Sequence, residues 1–251
     1  MSERKRNKLP DTRVFLVRHG QPEQHSGKIF LGQLDVPLSD QGKREALAAG
    51  DRLIAQHARP KLIYTSDLAR AKETAGIIAG QLGGLPVVPD KLLREMAMGA
   101  WDGELIEDIK AKFPEEYAKR GDDPRNYRVS GGENFYDLRG RVLREFHRIF
   151  KEGFRDARMG NSEEDPGDLV IVAHLGVITV LFEELNAGEP GFGSDAGFPS
   201  GSSADPPARP SAGFPARSSV DSPARPSAGF PTGSVTVVKT PKWLWAEEDK
   251  L

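Results

Sequence analysis

Two apolar runs in the sequence each stop at a histidine that a glycine follows closely. The first run, Val14–Val17, leads into Arg18-His19-Gly20, and the second, Leu169–Ala173, leads into His174-Leu175-Gly176. Short, continuous apolar runs of this kind predict strands that are buried on both faces. An imidazole at the end of such a strand can take up a proton or attack an electrophile. Because the chain holds only five histidines, two of them in this pattern indicate one shared site.

Arg70 and Glu95 are two further candidates for chemistry. Arg70 is expected in the first turns of a helix, where free N–H groups already favour anions, and its guanidinium can grip two oxygens. Glu95 lies in an irregular, Gly-containing stretch with Trp101, and a carboxyl held against apolar groups can donate a proton. Each residue alone also has a structural explanation: the histidines as capped strand ends, Arg70 as a surface partner of Asp67 or Glu73, and Glu95 as a loop carboxylate.

Two histidines, two arginines and one glutamate suit an anionic substrate. A neutral imidazole can attack phosphorus and form a covalent phosphohistidine, while arginines neutralise the oxygens of the phosphoryl group. The sequence has neither a G-x-x-x-x-G-K-[ST] phosphate loop nor a G-x-S-x-G nucleophile elbow. Zinc is disfavoured because the arginines would repel a cation and no H-x-H or H-E-x-x-H spacing occurs. We therefore expect no metal and no other cofactor.

Strands and helices alternate along the chain in a way that positions these residues. The order predicts an α/β fold, a doubly wound, mostly parallel sheet flanked by helices, in which ligands bind beyond the carboxyl ends of the strands. Thr65-Ser66-Asp67 is expected to cap the second helix. Besides the two runs above, the patterns predict strands at 62–64, 87–88 and 235–238, and helices at 40–57, 67–82, 104–113, 132–154 and 176–186.

Composition narrows the class of protein. The 251 residues carry a formal net charge of −2, so a nucleic-acid partner is not expected. The apolar run 169–182 is too short for a membrane span, and no apolar stretch follows the basic N-terminus, so we expect neither a membrane partner nor a secretory signal. The lack of cysteine fits a reducing, cytoplasmic location. Residues 1–12 are predicted to be a disordered basic tail, and no pattern indicates an oligomeric state.

A low-complexity segment interrupts the last part of the chain. From about residue 190 to 233 the sequence is rich in Gly, Pro, Ser and Ala, and Ala-Gly-Phe-Pro recurs with a period of 16. Such a composition cannot bury enough apolar surface to order itself. We interpret it as an insertion within a single domain spanning 13–251. Its phenylalanines, Phe198, Phe214 and Phe230, could dock a partner, but a tolerated duplication in a surface loop is the simpler explanation.

Taken in order, these motifs resemble the histidine phosphatase superfamily, in its phosphoglycerate-mutase-like branch. The resemblance covers roughly residues 13–186 and the strand near 235, and its details are similar to alpha-ribazole phosphatases and broad-specificity phosphatases. The matching motifs are Val17-Arg18-His19-Gly20, Gly32 to Gly42, Tyr64 to Ala71 with Thr74 and Ala75, Glu95, Gly99-Ala100-Trp101-Asp102-Gly103, Gly131-Gly132-Glu133 and His174-Leu175-Gly176.

The resemblance implies a role for each site residue. His19 would be the nucleophile, and Glu95 would protonate the leaving oxygen and later activate water. The phosphate pocket would be formed by Arg18, Arg70 and His174, with His174 also stabilising the transition state. Gly32 would allow close approach of the backbone to the substrate. No metal would be needed, and a small helical cap formed by residues 91–133 would cover the pocket.

Three departures from the family pattern stand out. His25 occupies the position where members often carry an asparagine that touches the phosphate, so His25 is a candidate phosphate ligand. The last histidine is followed by Leu175-Gly176 rather than by two glycines. The usual short connection before the final strand is replaced by the repeats.

Three functions remain open at this point. The first is a phosphomonoesterase that hydrolyses a small phosphorylated metabolite through a phosphohistidine. The second is a phosphoglycerate mutase, for which basic cap residues could bind a second phosphate: Lys110, Lys112, Arg125 and Arg128. The third is a catalytically silent phosphate-binding module. The complete catalytic set argues against the third, and the cap motifs favour the phosphatase.

Overall fold

A computed structural model describes residues 12–23, 27–154, 167–187, 230–241 and 244. Its five described strands form one sheet in the order β3-β2-β4-β1-β5. The three pairs β1–β4, β2–β4 and β2–β3 are parallel, and β5 runs antiparallel to β1. The sheet is therefore mostly parallel, as predicted. The strands are β1 (Arg13–Arg18), β2 (Pro60–Ser66), β3 (Val87–Asp90), β4 (Asp168–Ala173) and β5 (Val235–Lys239).

The central strands are buried on both faces because alternate side chains enter two different cores. Val14 and Leu16 of β1 belong to one hydrophobic cluster, and Phe15 and Val17 belong to the other. Strand β4 divides its residues between the two clusters in the same way. This explains why the sequence shows continuous apolar runs rather than a polar alternation.

Helices cover both faces of the sheet, which confirms the doubly wound arrangement. Two helices, α1 and α2, supply one core, and the later helices α5 and α6 supply the other. Between them two short helices, α3 and α4, follow β3. The bounds are α1 (Asp40–Ala55), α2 (Ala69–Gln81), α3 (Ile106–Lys112), α4 (Pro114–Asp122), α5 (Phe135–Gly153) and α6 (Leu175–Leu185).

The start of α2 differs from the prediction. The helix begins at Ala69, and its N-cap residue makes no side-chain capping bond. The Asp67 carboxylate is instead engaged by Arg94 at 2.6 Å, while the backbone N–H of Ala69 donates to Asp35 at 2.6 Å. The predicted local cap at Thr65-Ser66-Asp67 is thus wrong, because a loop distant in sequence supplies the acceptor.

The segment between β3 and α5 contains one α-helix more than predicted. The patterns indicated a helix ending before Pro114, and α3 ends at Lys112. Pro114 then opens α4, a position where proline is well tolerated because its missing N–H would be unpaired anyway. Aromatic rings hold this cap together: the Trp101 ring lies 5.3 Å from that of Phe30 and 6.4 Å from that of Tyr117.

The predicted tail and most of the repeat segment lie outside the described residues. At their edges, Thr12 is buried and its carbonyl accepts from the backbone N–H of Thr240 at 3.2 Å. Phe230, the last phenylalanine of the repeats, is also buried. Among the helices that the structure describes, none is both long and apolar enough to cross a membrane.

Two glycines allow the loop after β1 to pack tightly on the start of α1. A Cβ at Gly20 would lie 2.2 Å from the carbonyl oxygen of Gly42, and a Cβ at Gly42 would lie 2.0 Å from that of Gln21. Ser39 caps α1 by accepting from the Gly42 N–H, and its hydroxyl donates to the Gln21 carbonyl. This backbone contact fixes the loop that follows His19.

We expect Gly42→Ala to lower the free energy of unfolding by about 1–3 kcal/mol, because the new methyl group must displace backbone atoms. Gly76→Ala is the matched control, since Gly76 also lies in a helix but a Cβ there meets nothing within 4 Å. The control should raise stability by about 1 kcal/mol through helix propensity. Urea denaturation measures both. A fully stable Gly42→Ala would contradict the proposed close packing.

Candidate active site

The two histidines meet because their strands are hydrogen-bonded neighbours. Arg18 at the end of β1 lies opposite Ala173 at the end of β4. The backbone N–H of His19 donates to the carbonyl of Ala173 at 3.0 Å, which extends the ladder by one residue. The imidazole centroids of His19 and His174 are 5.0 Å apart, and both residues are buried. The pairing of two distant sequence motifs thus follows from strand register.

The surroundings of His19 set its tautomer and its charge. Its Nδ1 lies 2.7 Å from the carbonyl oxygen of Gly20. Because a carbonyl can only accept, Nδ1 carries the hydrogen and Nε2 of the neutral ring keeps a lone pair. Burial, followed by the charges of Arg70 and Arg18, lowers the pKa of His19 to about 3. At neutral pH, His19 is therefore an uncharged imidazole with a nucleophilic Nε2.

His174 is buried beside this ring without a polar partner. Burial, and then the proximity of His19 and of the arginines, lowers the pKa of His174 well below its usual range. Within the described residues, neither of its ring nitrogens has a hydrogen-bond partner. Buried polar groups are normally paired because leaving them unpaired is costly. This side chain is therefore suited to contact a polar ligand.

Arg70 is almost fully buried, in contrast to the surface ion pair considered above. Its Nη1 donates to the Leu34 carbonyl at 2.7 Å and its Nη2 donates to the Gly32 carbonyl at 2.8 Å. The carboxylates of Asp67 and Glu73 are engaged elsewhere. Burial lowers the pKa of Arg70 to about 10, which leaves it charged at neutral pH. The two Nη atoms of Arg70 thus hold the loop that contains Gly32 and Leu34. The buried Nε of Arg70 has no hydrogen-bond partner among the described residues.

Arg18, the residue directly before His19, is also held by a backbone carbonyl. Its Nη1 donates to the Phe230 carbonyl at 2.5 Å. Its Nε is buried and unpartnered within the part of the chain that the structure describes. Burial lowers the pKa of Arg18, while the charges of Glu95 and Glu45 act to raise it. Both arginines therefore keep a buried N–H next to the neutral histidines.

These unpartnered nitrogens define a site for an anion. The Nε atoms of the two arginines and the ring nitrogens of His174 are hydrogen-bonding groups in a region of low solvent access. Positive charge and oriented donors in such a region interact strongly with phosphate oxygens. Within the described residues, no three His, Cys, Asp or Glu side chains gather as a metal site would require.

Glu95 lies next to the second histidine turn. Its carboxylate accepts from the backbone N–H of Met96 at 2.8 Å and from that of Gly176 at 3.2 Å. A Cβ at Gly176 would lie 2.4 Å from Glu95 Oε1, so the glycine leaves room for this carboxylate in its observed position. The charge of Glu95 acts on both Arg18 and Arg70. The structure thus brings this predicted acid to the arginines and the second histidine.

The sequence analysis missed the side chains that hold Glu95 in place. Arg141, a mostly buried residue of α5, donates to the Glu95 carbonyl at 2.8 Å and pairs with Glu133 at 2.7 Å. Gln33 donates to the same Glu95 carbonyl at 3.0 Å. Arg141 could have been found, because it lies three residues after Leu138 on the apolar stripe of its helix. A cation on such a stripe indicates a buried structural role.

Thr74 is a second missed residue with a clear contact. Its hydroxyl accepts from the backbone N–H of Gly20 at 3.0 Å and donates to the Arg70 carbonyl at 2.7 Å. It therefore connects the loop after His19 to the helix that carries Arg70. The matching motif contained Thr74, but the sequence offered no reason for it.

Gly32 is required by its neighbours. Its φ is +40°, and a Cβ there would lie 1.6 Å from Asp102 Oδ1. That carboxylate accepts from the backbone N–H groups of Gln33 and Met98, and burial raises the pKa of Asp102. The remaining candidate, His25, lies outside the described residues.

The depressed pKa values of His19 and His174 predict a specific pH dependence of stability. A histidine whose pKa falls on folding contributes stability above its unfolded pKa of 6.5, and this is lost as the pH falls towards the folded value. We expect the free energy of unfolding to fall between pH 6.5 and 5 by up to ~1.4 kcal/mol per pH unit for each histidine. Urea melts in phosphate-free buffer measure this slope.

His19→Asn should remove its share of that slope, whereas the exposed control His57→Asn should not. Carboxylates whose pKa is lowered in the fold, such as Asp67 and Asp168, lose their contribution only at lower pH. An unchanged slope in His19→Asn would contradict the buried, neutral state of that ring.

Comparison with curated proteins gives relatives of two activities. A glucosyl-3-phosphoglycerate phosphatase of Mycolicibacterium vanbaalenii is 36% identical over 173 residues, which are 69% of this chain and 73% of the relative. A 2,3-bisphosphoglycerate-dependent phosphoglycerate mutase of Brucella melitensis is 35% identical over 187 residues, covering 70% and 89%.

Solved structures support the same relationship. A mycobacterial glucosyl-3-phosphoglycerate phosphatase in complex with inorganic phosphate is 32% identical, covers 69% of this chain and 78% of its own, and has a TM-score of 0.58. The alpha-ribazole phosphatase of Shigella flexneri is 25% identical, covers 70% and 80%, and also has a TM-score of 0.58. The family model for branch 1 of the histidine phosphatase superfamily matches residues 14–202, and the chain therefore belongs to that superfamily.

Proposed function

We propose that this phosphomonoesterase hydrolyses a small phosphorylated metabolite by transferring its phosphoryl group to Nε2 of His19. The observation that carries the proposal is the set of buried, unpartnered nitrogens beside that atom. They belong to Arg18, Arg70 and His174 in the described part of the chain. A solved relative of this family contains inorganic phosphate, which supports phosphate as the group bound.

In the first step Nε2 attacks phosphorus and the bond to the leaving oxygen breaks. Glu95, carrying a proton, donates it to the departing oxygen, so that an alcohol leaves rather than an alkoxide. The Nε–H groups of Arg18 and Arg70 and the ring of His174 stabilise the charge on the transferring phosphoryl oxygens. The Nδ1–H bond to the Gly20 carbonyl stabilises the positive charge that develops on the ring of His19.

In the second step water attacks the phosphohistidine. Glu95, now ionised, takes a proton from that water as the new P–O bond forms and the P–N bond breaks. Inorganic phosphate leaves, and both His19 and Glu95 return to their starting protonation states. The residues of this chain thus supply the nucleophile, the acid and base, and the charge stabilisation.

The cap favours hydrolysis over mutase activity. The four basic residues that could bind a second phosphate are each paired with a carboxylate. The pairs are Lys110–Glu107, Lys112–Asp108, Arg125–Glu183 and Arg128–Asp137. Three of the four cations are substantially exposed, so these pairs are weak, but they reduce the local positive charge. A mutase needs a site that retains a bisphosphorylated intermediate, and these contacts do not favour one.

An activity assay can narrow the range of candidate substrates. Two relatives named above act, by their names, on phosphoglycerate or glucosyl-3-phosphoglycerate, and a third acts on alpha-ribazole phosphate. We propose to test release of inorganic phosphate from these three compounds and to monitor interconversion of phosphoglycerate isomers. Interconversion without phosphate release would favour the mutase. A cytoplasmic location is proposed from the absence of cysteine.

His19→Ala should abolish both turnover and the acid-labile phosphoenzyme, because it removes the nitrogen to which the phosphoryl group is transferred. The phosphoenzyme is measured by mixing the protein with a substrate labelled in its phosphoryl group and then quenching rapidly without acid. His57→Asn is the control, since His57 is exposed and distant from the carboxyl ends of the strands. Full activity in His19→Ala would overturn the mechanism.

Glu95→Gln separates proton transfer from phosphate binding. With an alkyl phosphate the leaving group needs a proton, so the burst rate should fall on the order of 10²–10⁴-fold. A nitrophenolate leaves readily without one, so the burst with an aryl ester should fall much less. Stopped-flow burst rates measure this step and exclude the water step, which both substrates share.

The control for this comparison is Glu104→Gln, which changes an exposed carboxylate of the cap. It should leave both burst rates close to those of the wild type. Equal losses for the alkyl and aryl esters in Glu95→Gln would show that Glu95 is not the acid. Glu23 and Asp102 would then be the next carboxylates to test.

A further inference from the structure

Phe230 is the last phenylalanine of the 16-residue repeats, and it belongs to the core of the domain. Its exposed fraction is 7%, and it is part of the hydrophobic cluster formed with α5 and α6. Its ring packs edge-on against that of Phe182 of α6, with the centroids 5.5 Å apart. Buried aromatic pairs of this geometry contribute stability beyond their buried area. The ring therefore anchors the chain where it returns from the insertion.

The anchored segment contacts the end of β1 through its backbone. The Phe230 carbonyl accepts from Arg18 Nη1 at 2.5 Å. Three residues later, the N–H of Gly233 donates to the carbonyls of both Arg18 and His19 at 3.1 Å. Arg52 of α1 donates to the Gly233 carbonyl at 2.9 Å. One short segment thus holds both the backbone and the side chain of Arg18.

The contact with the Arg18 side chain is the important one for chemistry. An arginine side chain has several rotatable bonds, and its orientation must be fixed by its neighbours. In the described residues, the Phe230 carbonyl is the acceptor that the structure gives to this guanidinium. The same guanidinium presents its buried, unpartnered Nε. A hydrogen bond to a charged group contributes more than one between neutral groups.

We propose that Phe230 is a positioning residue for phosphate binding: its buried ring fixes the carbonyl that orients Arg18. The octapeptide Ala-Arg-Pro-Ser-Ala-Gly-Phe-Pro occurs twice, at 208–215 and at 224–231. The second copy is the one that ends at this anchor. The repeat unit is therefore a duplication of a sequence that ends in an active-site contact, and one copy is sufficient for it. The inference rests on the phosphate-binding role proposed for Arg18.

The test is the dissociation constant of inorganic phosphate, measured by titration calorimetry on the full chain. Phe230→Ala should weaken binding on the order of 10-fold, which is the effect of losing a hydrogen bond to a charged group. In an Arg18→Ala background the same change should have little effect, because Phe230 acts through Arg18. A merely structural role would instead lower affinity equally in both backgrounds and would overturn the inference.

The repeats provide a matched control. Phe214→Ala makes the same substitution in the identical octapeptide one period earlier, and it should leave phosphate affinity unchanged. Deletion of residues 208–223 removes one period while Ala224–Pro231 stays in front of Thr232, and it should change affinity less than about twofold. Weakening by Phe214→Ala as large as that by Phe230→Ala would contradict the assignment.

Phe230→Leu keeps a large apolar side chain at this position, and it replaces Phe230→Ala in the same test if Phe230→Ala does not fold. It should give a smaller loss that also disappears in the Arg18→Ala background, and an equal loss in both would again overturn the inference. Failure of the proposed function has a different signature. In that case the wild-type protein itself would not bind phosphate, or His19→Ala would keep full turnover, whatever residue stands at 230.

Discussion

Burial of the Arg70 guanidinium and partial burial of that of Arg18, beside two imidazoles, is the constraint on which the site depends. Removing a charged arginine from water is costly unless acceptors replace the lost hydration. Backbone carbonyls do this here: those of Gly32 and Leu34 for Arg70, and that of Phe230 for Arg18. Burial, reinforced by the resulting positive field, lowers the pKa of both histidines and keeps them neutral. The buried arginines thus favour an anion and also help to keep the neighbouring imidazoles uncharged.

The loops around the sheet position those carbonyls. The stretch that includes Gly32 is held by the Asp102 carboxylate through the N–H of Gln33. The stretch after β3 is held by Arg141, which donates to the carbonyls of Leu92, Arg94 and Glu95. Because each loop is fixed by a buried charge from another element, a change far from His19 in sequence can disturb the chemistry.

The sequence was sufficient for the sheet and for the central pair of the site. Continuous apolar runs identify β1 and β4, and the histidine at the end of each run predicts one shared site. The strand order of the structure then shows that the two strands are neighbours. Arg70 was identified as a candidate, but its environment was not, because the carbonyls that hold it come from a loop without regular periodicity. The same limitation explains the error at the start of α2, where Asp35 supplies the acceptor.

Residues that act through other residues were the hardest to find. Thr74 and Arg141 have ordinary helix positions, and only their contacts in three dimensions give them a role. Phe230 was hidden in a different way, since its repeat composition predicts a segment without a core. The composition of the whole segment does not reveal that a single ring at its end is buried.

The position of β1 in the sheet has a consequence for synthesis of the protein. Its two neighbours, β4 and β5, follow it by about 150 and 220 residues in the chain. At roughly 5–20 residues per second, a ribosome needs about 10 to 45 s to deliver both partners. During that interval an apolar strand with two open edges is exposed to wrong pairing. The first strand, which leads into His19, thus stays without its native partners until β4 and then β5 have been synthesised, and chaperone binding in that interval would protect it.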